Sequence, residues 1–283
     1  MTRFSHIQVD SSGGIARVIL NRPDRRNAFD DRMVGDLSAA FYELGRDPSI
    51  RGIILGGAGP AFCAGADLRW MSPETPISET QAYDDAVLLS RMYQIIDECP
   101  CPVIGGVHGS VFGGGVGLVA VCDVVVAAAD TTFALSEVTL GLVPAVISPF
   151  LLRKAGESFL RRYALTGEPF SASVALQFTL VHEVVEPDGL EKRLNELAAA
   201  ILRLAPQAAR DTKSLIRRLP SLPDTDRWPA CAQANAHARL SPEATQGLQA
   251  FLHKRPPAWA QHADSPETRE TPRQSPDAAR KRA

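Results

Sequence analysis

From Pro102 to Phe150 the chain reads PVIGGVHGSVFGGGVGLVAVCDVVVAAADTTFALSEVTLGLVPAVISPF, almost free of charge. Such a run must be built into a core, so it constrains the fold more than any other stretch. Pro102 to Val107 and Val124 to Ala129 read as strands, and Val116 to Val121 as a buried helix. Between the first strand and the helix stand Gly113, Gly114 and Gly115. Consecutive glycines at a helix start remove every Cβ that would keep a ligand off the backbone, leaving bare N–H groups free to meet an oxygen. Gly117 inside the helix costs about 1 kcal/mol against alanine, which implies a need for empty space. Glu137 then stands alone among Phe133, Ala134, Leu135, Val138 and Leu140. Apolar surroundings raise a carboxylate's pKa toward the range of a general acid or base at neutral pH.

Each feature has an ordinary reading. Glycine runs pack helices tightly on sheets, and a lone Glu is commonly a solvated loop residue. Together, in an enzyme-sized chain, they favour an oxyanion site facing an acid–base group. A rival reading lies in the same residues: Gly115 to Ala120 fits the dinucleotide pattern G-x-G-x-x-A, with Glu137 seventeen positions beyond Ala120. The context opposes it, because His108 to Phe112 separates the motif from the strand it should follow.

The 283 residues, 45% hydrophobic and 22% charged, suffice for a sizeable core. A net charge of −2 offers no general attraction to nucleic acid or membrane. No apolar run approaches a bilayer span, and Met1 to Asp10 has no signal-peptide or transit-peptide pattern, so a soluble cytoplasmic protein is expected. Cys63, Cys99, Cys101, Cys122 and Cys231 form no C-x-x-C pair and read as thiols, with neither disulfides nor a metal site indicated.

Strands are also expected at Ile15 to Leu20, Ile50 to Leu55 and Leu180 to Val185. Helices are expected at 31–44, capped by Asp30 or Asp31, and at 80–98, then from Val143-Pro144-Ala145, and at 157–165, 171–177, 190–204, 207–219 and 241–253. Ala61 to Leu68 is a small-residue stretch able to bring a second N–H to a ligand. Residues 72–80, SPETPISET, form a Pro/Ser/Thr loop able to wall a substrate site. Residues 261–283 read as a disordered tail.

AFCAGADL at 61–68, GGGVGL at 113–118, CDVVVA at 122–127, SEVTLGLVPA at 136–145 and FLHKRPPAW at 251–259 together resemble the enoyl-CoA hydratase/isomerase (crotonase) superfamily over roughly residues 5 to 260. The resemblance implies an α/β (α+β) spiral of ββα repeats over 1–200. It also implies a helical C-terminal trimerisation region over 201–260, giving trimers or hexamers. Ala66 and Gly114 would donate the two N–H groups holding a thioester oxygen, and Glu137 would be a catalytic glutamate. Arg26, Ala64 and Asp67 would contact coenzyme A, with Phe251 and Lys254 reaching it from a neighbouring subunit. The partner is then an acyl-CoA thioester, with no cofactor beyond the substrate's own CoA.

Gly117 stands where ordinary hydratases carry a second glutamate. With one carboxylate, hydration and double-bond isomerisation are both chemically open. The segments GGGVGLVAVCD, ALSEVTLGLVPAVISPF and AGESFLRRYALTGEPF are similar to the branch that hydrates 3-methylglutaconyl-CoA or isohexenylglutaconyl-CoA. On that reading Gly117 opens pocket space beside Cβ for the branch, and Glu at 117 would block branched esters while sparing straight ones. Arg69, Arg91, Arg153 and Lys154 are candidates for the distal carboxylate, with nothing to choose between them. A non-catalytic acyl-CoA-binding scaffold is the alternative outside enzymology.

Overall fold

The computed structural model describes residues 4–71 and 76–260; the proposed tail and residues 72–75 of the Pro/Ser/Thr loop lie outside the described residues. The chain begins with β1 (Ile7–Ser12) and β2 (Ile15–Leu20), followed by α1 (Asp31–Arg46) and β3 (Gly52–Gly57). Next come α2 (Leu68–Met71), α3 (Glu79–Asp97), β4 (Val103–Val107), β5 (Ser110–Phe112) and α4 (Gly114–Val121). β6 (Val124–Ala128), β7 (Thr132–Ala134), α5 (Ser148–Ala155), α6 (Glu157–Thr166), β8 (Phe170–Ser171), α7 (Ala172–Gln177) and β9 (Glu183–Val185) complete the mixed part. Four helices end it: α8 (Leu190–Leu202), α9 (Pro206–Arg218), α10 (Asp224–Arg239) and α11 (Pro242–Leu252).

The large sheet runs β1-β2-β3-β4-β6-β9, parallel except for the β1–β2 hairpin. A second sheet runs β5-β7-β8, extended by an isolated parallel bridge between Cys63 and Val111. A repeat emerges from these pairings. Each of β2, β3, β4 and β6 leads to a short strand or bridge outside the large sheet, at Phe29, Cys63–Ala66, β5 and β7, and then to a helix or 3₁₀ turn. The expected spiral of ββα units is therefore present. One face of the large sheet packs on the main core and the other on α8, where Ile54, Ile104 and Val126 meet Leu194 and Ala198. Burial on both faces explains why these strands are continuously apolar.

Local chemistry sets the helix ends. Asp30 caps α1 by accepting from the Met33 N–H, and Ser78 with Gln81 forms a reciprocal capping box on α3. Two expected boundaries differ. α5 starts at Ser148 instead of Val143, because the chain through Pro144 closes a turn in which the Ser148 N–H donates to the Pro144 carbonyl. The strand expected from Leu180 pairs only over Glu183–Val185, since Leu180 and Val181 donate back to Ala175 and His182 donates to Val125. α10 lies in the C-terminal region that the resemblance makes helical, but no helix was expected there from periodicity. It has no apolar stripe and carries Pro229 in its interior, so periodicity could not reveal it.

The C-terminal helices are tied to the core by cations donating to backbone carbonyls, Arg210 to Gly45 and Ile50 and Lys213 to Cys101. Among the described residues no helix is long and apolar enough to cross a membrane.

Asn27 is a buried polar tie between the end of β2 and the loop after β3. Fully buried at φ 55°, it donates to the Ala58 and Ala61 carbonyls, both at 2.8 Å, and accepts from the Arg22 N–H at 2.8 Å. Asn27→Leu strands those three groups, so a loss on the order of 3 kcal/mol is expected in urea unfolding; a loss below about 1 kcal/mol would show that the tie carries little.

Candidate active site

Three consecutive repeats deliver Ala66, Gly114 and Glu137 to one cavity of about 410 Å3. Ala66 ends the bridge segment of its unit, and Gly114 and Glu137 follow shortly after β5 and β7, so the spiral brings similar positions together.

At the first position, Phe29 donates to the Gly65 carbonyl and accepts from the Asp67 N–H, both at 2.9 Å. Alternation along an extended chain then turns the Ala66 N–H away from Phe29. It has no backbone acceptor among the described residues, and Ala66 lines the cavity. At the second, Gly114 opens α4, where an N–H has no partner within the helix. Gly113 before it holds φ 48°, a left-handed conformation suited to glycine.

The two segments touch through Gly65, whose φ is +91°. A Cβ there would lie 2.8 Å from the Phe112 carbonyl oxygen and 3.5 Å from the Gly114 nitrogen. Only glycine lets the backbone beside Ala66 approach the start of α4 this closely, and Ala66 and Gly114 both line the cavity there.

Glu137 begins the 3₁₀ turn Glu137–Leu140. Its Oε1 lies 3.1 Å from where a Cβ on Gly113 would sit, so the carboxylate packs directly on the glycine turn. Oε2 is buried with no hydrogen-bond partner among the described residues. Burial pushes the Glu137 pKa above the usual carboxylate range, opposed in part by its own backbone N–H. An unpartnered carboxylate beside a pair of free amides can exchange a proton with a carbon adjacent to a carbonyl held by those amides.

Gly117 departs from expectation. It is buried inside α4, and a Cβ on it would lie 2.3 Å from Ile147 Cγ2 and 3.0 Å from the Tyr93 ring. The space beside Gly117 is therefore filled by the protein itself, and Gly117 does not line the cavity among the described residues. From the sequence Tyr93, like Met71, Met92 and Phe150, can either pack in the core or line an apolar slot for a long acyl chain. It is fully buried, lines the cavity, and donates its hydroxyl to the Gly114 carbonyl at 2.7 Å. No sequence signal separates it from the packing residues Ile96 and Met92 of the same helix.

Ala64 lines the cavity, and its N–H donates to the Arg26 carbonyl at 2.9 Å, so Arg26 stands beside it with an exposed side chain. The Asp67 carboxylate is paired with Arg22 at 3.1 Å, a partner the sequence did not single out. Phe251 is 81% exposed and Lys254 is exposed; neither lines the cavity of its own chain. The glycines of the dinucleotide pattern are packed away: a Cβ on Gly115 would lie 2.5 Å from the Cys63 carbonyl oxygen, leaving no room for a pyrophosphate.

The sequence pattern of the family described as "Enoyl-CoA hydratase/isomerase" matches residues 10–262. The chain belongs to the enoyl-CoA hydratase/isomerase family. Its fold is that of an enoyl-CoA hydratase from Shewanella pealeana, at a TM-score of 0.87 and 34% identity over 91% of this chain and 97% of that one. AtuE of Pseudomonas aeruginosa superposes at 0.88, with 36% identity over 91% and 100% of the two chains. The enoyl-CoA hydratase AKT6-1 of Alternaria alternata is 33% identical over 76% of this chain and 74% of its own length. Family membership makes an acyl-CoA thioester the substrate class.

Three outcomes are expected of this site. Glu137→Gln should lower turnover on the order of 10³-fold. The same change should raise the melting temperature at neutral pH. A folded-state pKa above the unfolded one contributes stability only below the unfolded value, and ionisation of the buried acid removes it as pH rises. A variant both inactive and less stable at pH 7 would contradict that assignment. Gly117→Glu, having to displace Tyr93 and Ile147, should lose activity on straight and branched esters alike; retained activity on a straight-chain ester would show the space is available after all.

Proposed function

We propose that this family member adds water across the α,β double bond of a 2-enoyl-CoA thioester, with Glu137 as its one acid–base group. The observation that carries the reading is the unpartnered Glu137 Oε2 in the cavity shared by the Ala66 and Gly114 amides. The amides hold the thioester oxygen as negative charge develops on it. Glu137 takes a proton from the attacking water and returns one to Cα on the same face. No metal, flavin or nicotinamide has a role in this scheme.

For the acyl group, the reading is a 3-branched glutaconyl ester, and of the two branches the longer, isohexenyl one. Its support is the segment SEVTLGLVPAVISPF and the apolar wall formed by Trp70, Leu89, Leu142, Val143 and Ile147. With the volume at Gly117 closed, the branch is assigned to that wall. Arg69, Arg91, Arg153 and Lys154 do not line the cavity, and no Lys or Arg does among the described residues. The distal carboxylate is accordingly assigned to the solvent-facing mouth beside Leu68 and Met71, which are 55% and 44% exposed.

Isomerisation is the second reading, and the filled space at Gly117 favours it. A single carboxylate moving a proton between Cγ and Cα needs no activated water. A homotrimer or hexamer is proposed as the assembly, supported by exposed Trp228 on α10, Leu240 at its end, and Leu248 and Phe251 on α11.

The deciding experiment incubates wild type and Glu137→Gln with crotonyl-CoA, 3-methylglutaconyl-CoA, isohexenylglutaconyl-CoA and a 3-enoyl-CoA, with products read by mass. A product heavier by one water, fastest from the isohexenyl ester and absent with the variant, is expected. A 3-enoyl ester converted without mass change, with no hydration, would replace hydratase by isomerase. Binding without turnover would leave a scaffold.

A further inference from the structure

Among the described residues that line the catalytic cavity, the titratable ones are Asp85, Tyr93 and Glu137, and Asp85 has no part in the chemistry above. It belongs to α3, which faces the cavity with Ala82, Asp85, Ala86, Leu89 and Tyr93. Those positions follow the spacing of one helix face, so a carboxylate interrupts a stripe that is otherwise mostly apolar. Asp85 is half-buried, and its carboxylate has no ion pair or side-chain hydrogen bond among the described residues. Cations near this helix are engaged elsewhere. Arg153 pairs with Asp97 at its far end, and Arg91 reaches Gln94 at 3.4 Å.

Asp85 precedes Tyr93 by eight positions, about 12 Å along the helix axis. The Tyr93 hydroxyl marks the reacting end, because it donates to the Gly114 carbonyl. Asp85 is therefore too distant to exchange a proton with the carbons beside the thioester, a step that needs hydrogen-bond reach. What it meets is the far part of an acyl chain lying along α3, past Leu89. With no Lys or Arg lining the cavity among the described residues, a carboxylate there repels a second carboxylate. An uncharged chain meets no such opposition and keeps its apolar contacts, so discrimination comes from the repulsion.

From this placement we infer that Asp85 is a specificity-determining residue, excluding acyl chains that would bring a terminal carboxylate alongside α3 and admitting chains uncharged at that end. The inference rests on the reading of this cavity as the acyl-CoA site and deepens it. On a 3-branched glutaconyl ester it sorts the two arms at Cβ. The uncharged branch lies along Leu89 toward Asp85, and the carboxylate arm turns to the mouth beside Leu68 and Met71.

The test measures binding by isothermal titration calorimetry of the full chain with saturated esters, which neither hydration nor isomerisation consumes. The esters are paired by length and end in methyl or carboxylate: butyryl- and succinyl-CoA, octanoyl- and suberyl-CoA, decanoyl- and sebacyl-CoA. In wild type the carboxylate member of each long pair is expected to bind more weakly, and the gap should narrow in high salt. Asp85→Asn should tighten suberyl-CoA relative to octanoyl-CoA about ten-fold. The succinyl-to-butyryl ratio should stay the same, because the shorter carboxylate stops before reaching Asp85. Asp84→Asn, a change at the exposed neighbouring position, should move no ratio. Wild type binding suberyl-CoA as tightly as octanoyl-CoA overturns the inference whether or not the variants fold. A long-pair ratio unmoved by Asp85→Asn, or moved equally by Asp84→Asn, overturns it while leaving the acyl-CoA site in place. Failure of every ester to bind wild type overturns both.

Discussion

The site depends on one close approach of backbone to backbone. Gly65, at a φ of +91°, lies where any Cβ would collide with the Phe112 carbonyl oxygen. That contact lets the strand segment carrying Ala66 lie against the turn that starts α4. Two amides from distant parts of the chain then face the same cavity without a side chain between them. In the proposed reaction their value lies in being fixed before charge develops, in surroundings where water competes poorly.

The spiral explains why those groups meet. Each unit runs from the large sheet to the second layer and then into a helix or turn, so the residue just past the second strand always emerges at the same end. Ala66, Gly114 and Glu137 come from that end of successive units, and Phe29 lines the cavity from the unit before them. Asn27 fixes this geometry at its first turn, where its three hydrogen bonds join the end of β2 to the loop after β3. Polar satisfaction in the core and placement of the cavity-lining groups are here linked through the same contacts.

Glycine admits packed side chains at two positions of α4: a Cβ at Gly114 would lie 2.3 Å from the Phe29 ring and 2.8 Å from the Tyr93 hydroxyl, and one at Gly117 would meet the methyl of Ile147 and the ring of Tyr93. Tyr93 in turn holds the Gly114 carbonyl, so the side chain that closes the volume near position 117 also braces the first turn of the helix. The cavity that results keeps one carboxylate, raised in pKa by burial, against walls that are mostly apolar.

By itself the sequence determined the ββα core, most helix limits, the two small-residue stretches and the isolation of Glu137. These are local matters of periodicity, capping and the absence of Cβ atoms, and motif resemblance supplied the family. Tertiary structure decided what occupies the space each glycine leaves. A missing side chain announces a close approach without naming the partner, so Gly117 could be read as room for substrate when Tyr93 and Ile147 fill it. Tyr93 and Arg22 were hidden for the same reason: a tyrosine on an apolar helix face and an arginine in a loop are ordinary in sequence. Their roles arise from neighbours twenty or more positions away, which only the folded chain brings within hydrogen-bonding distance.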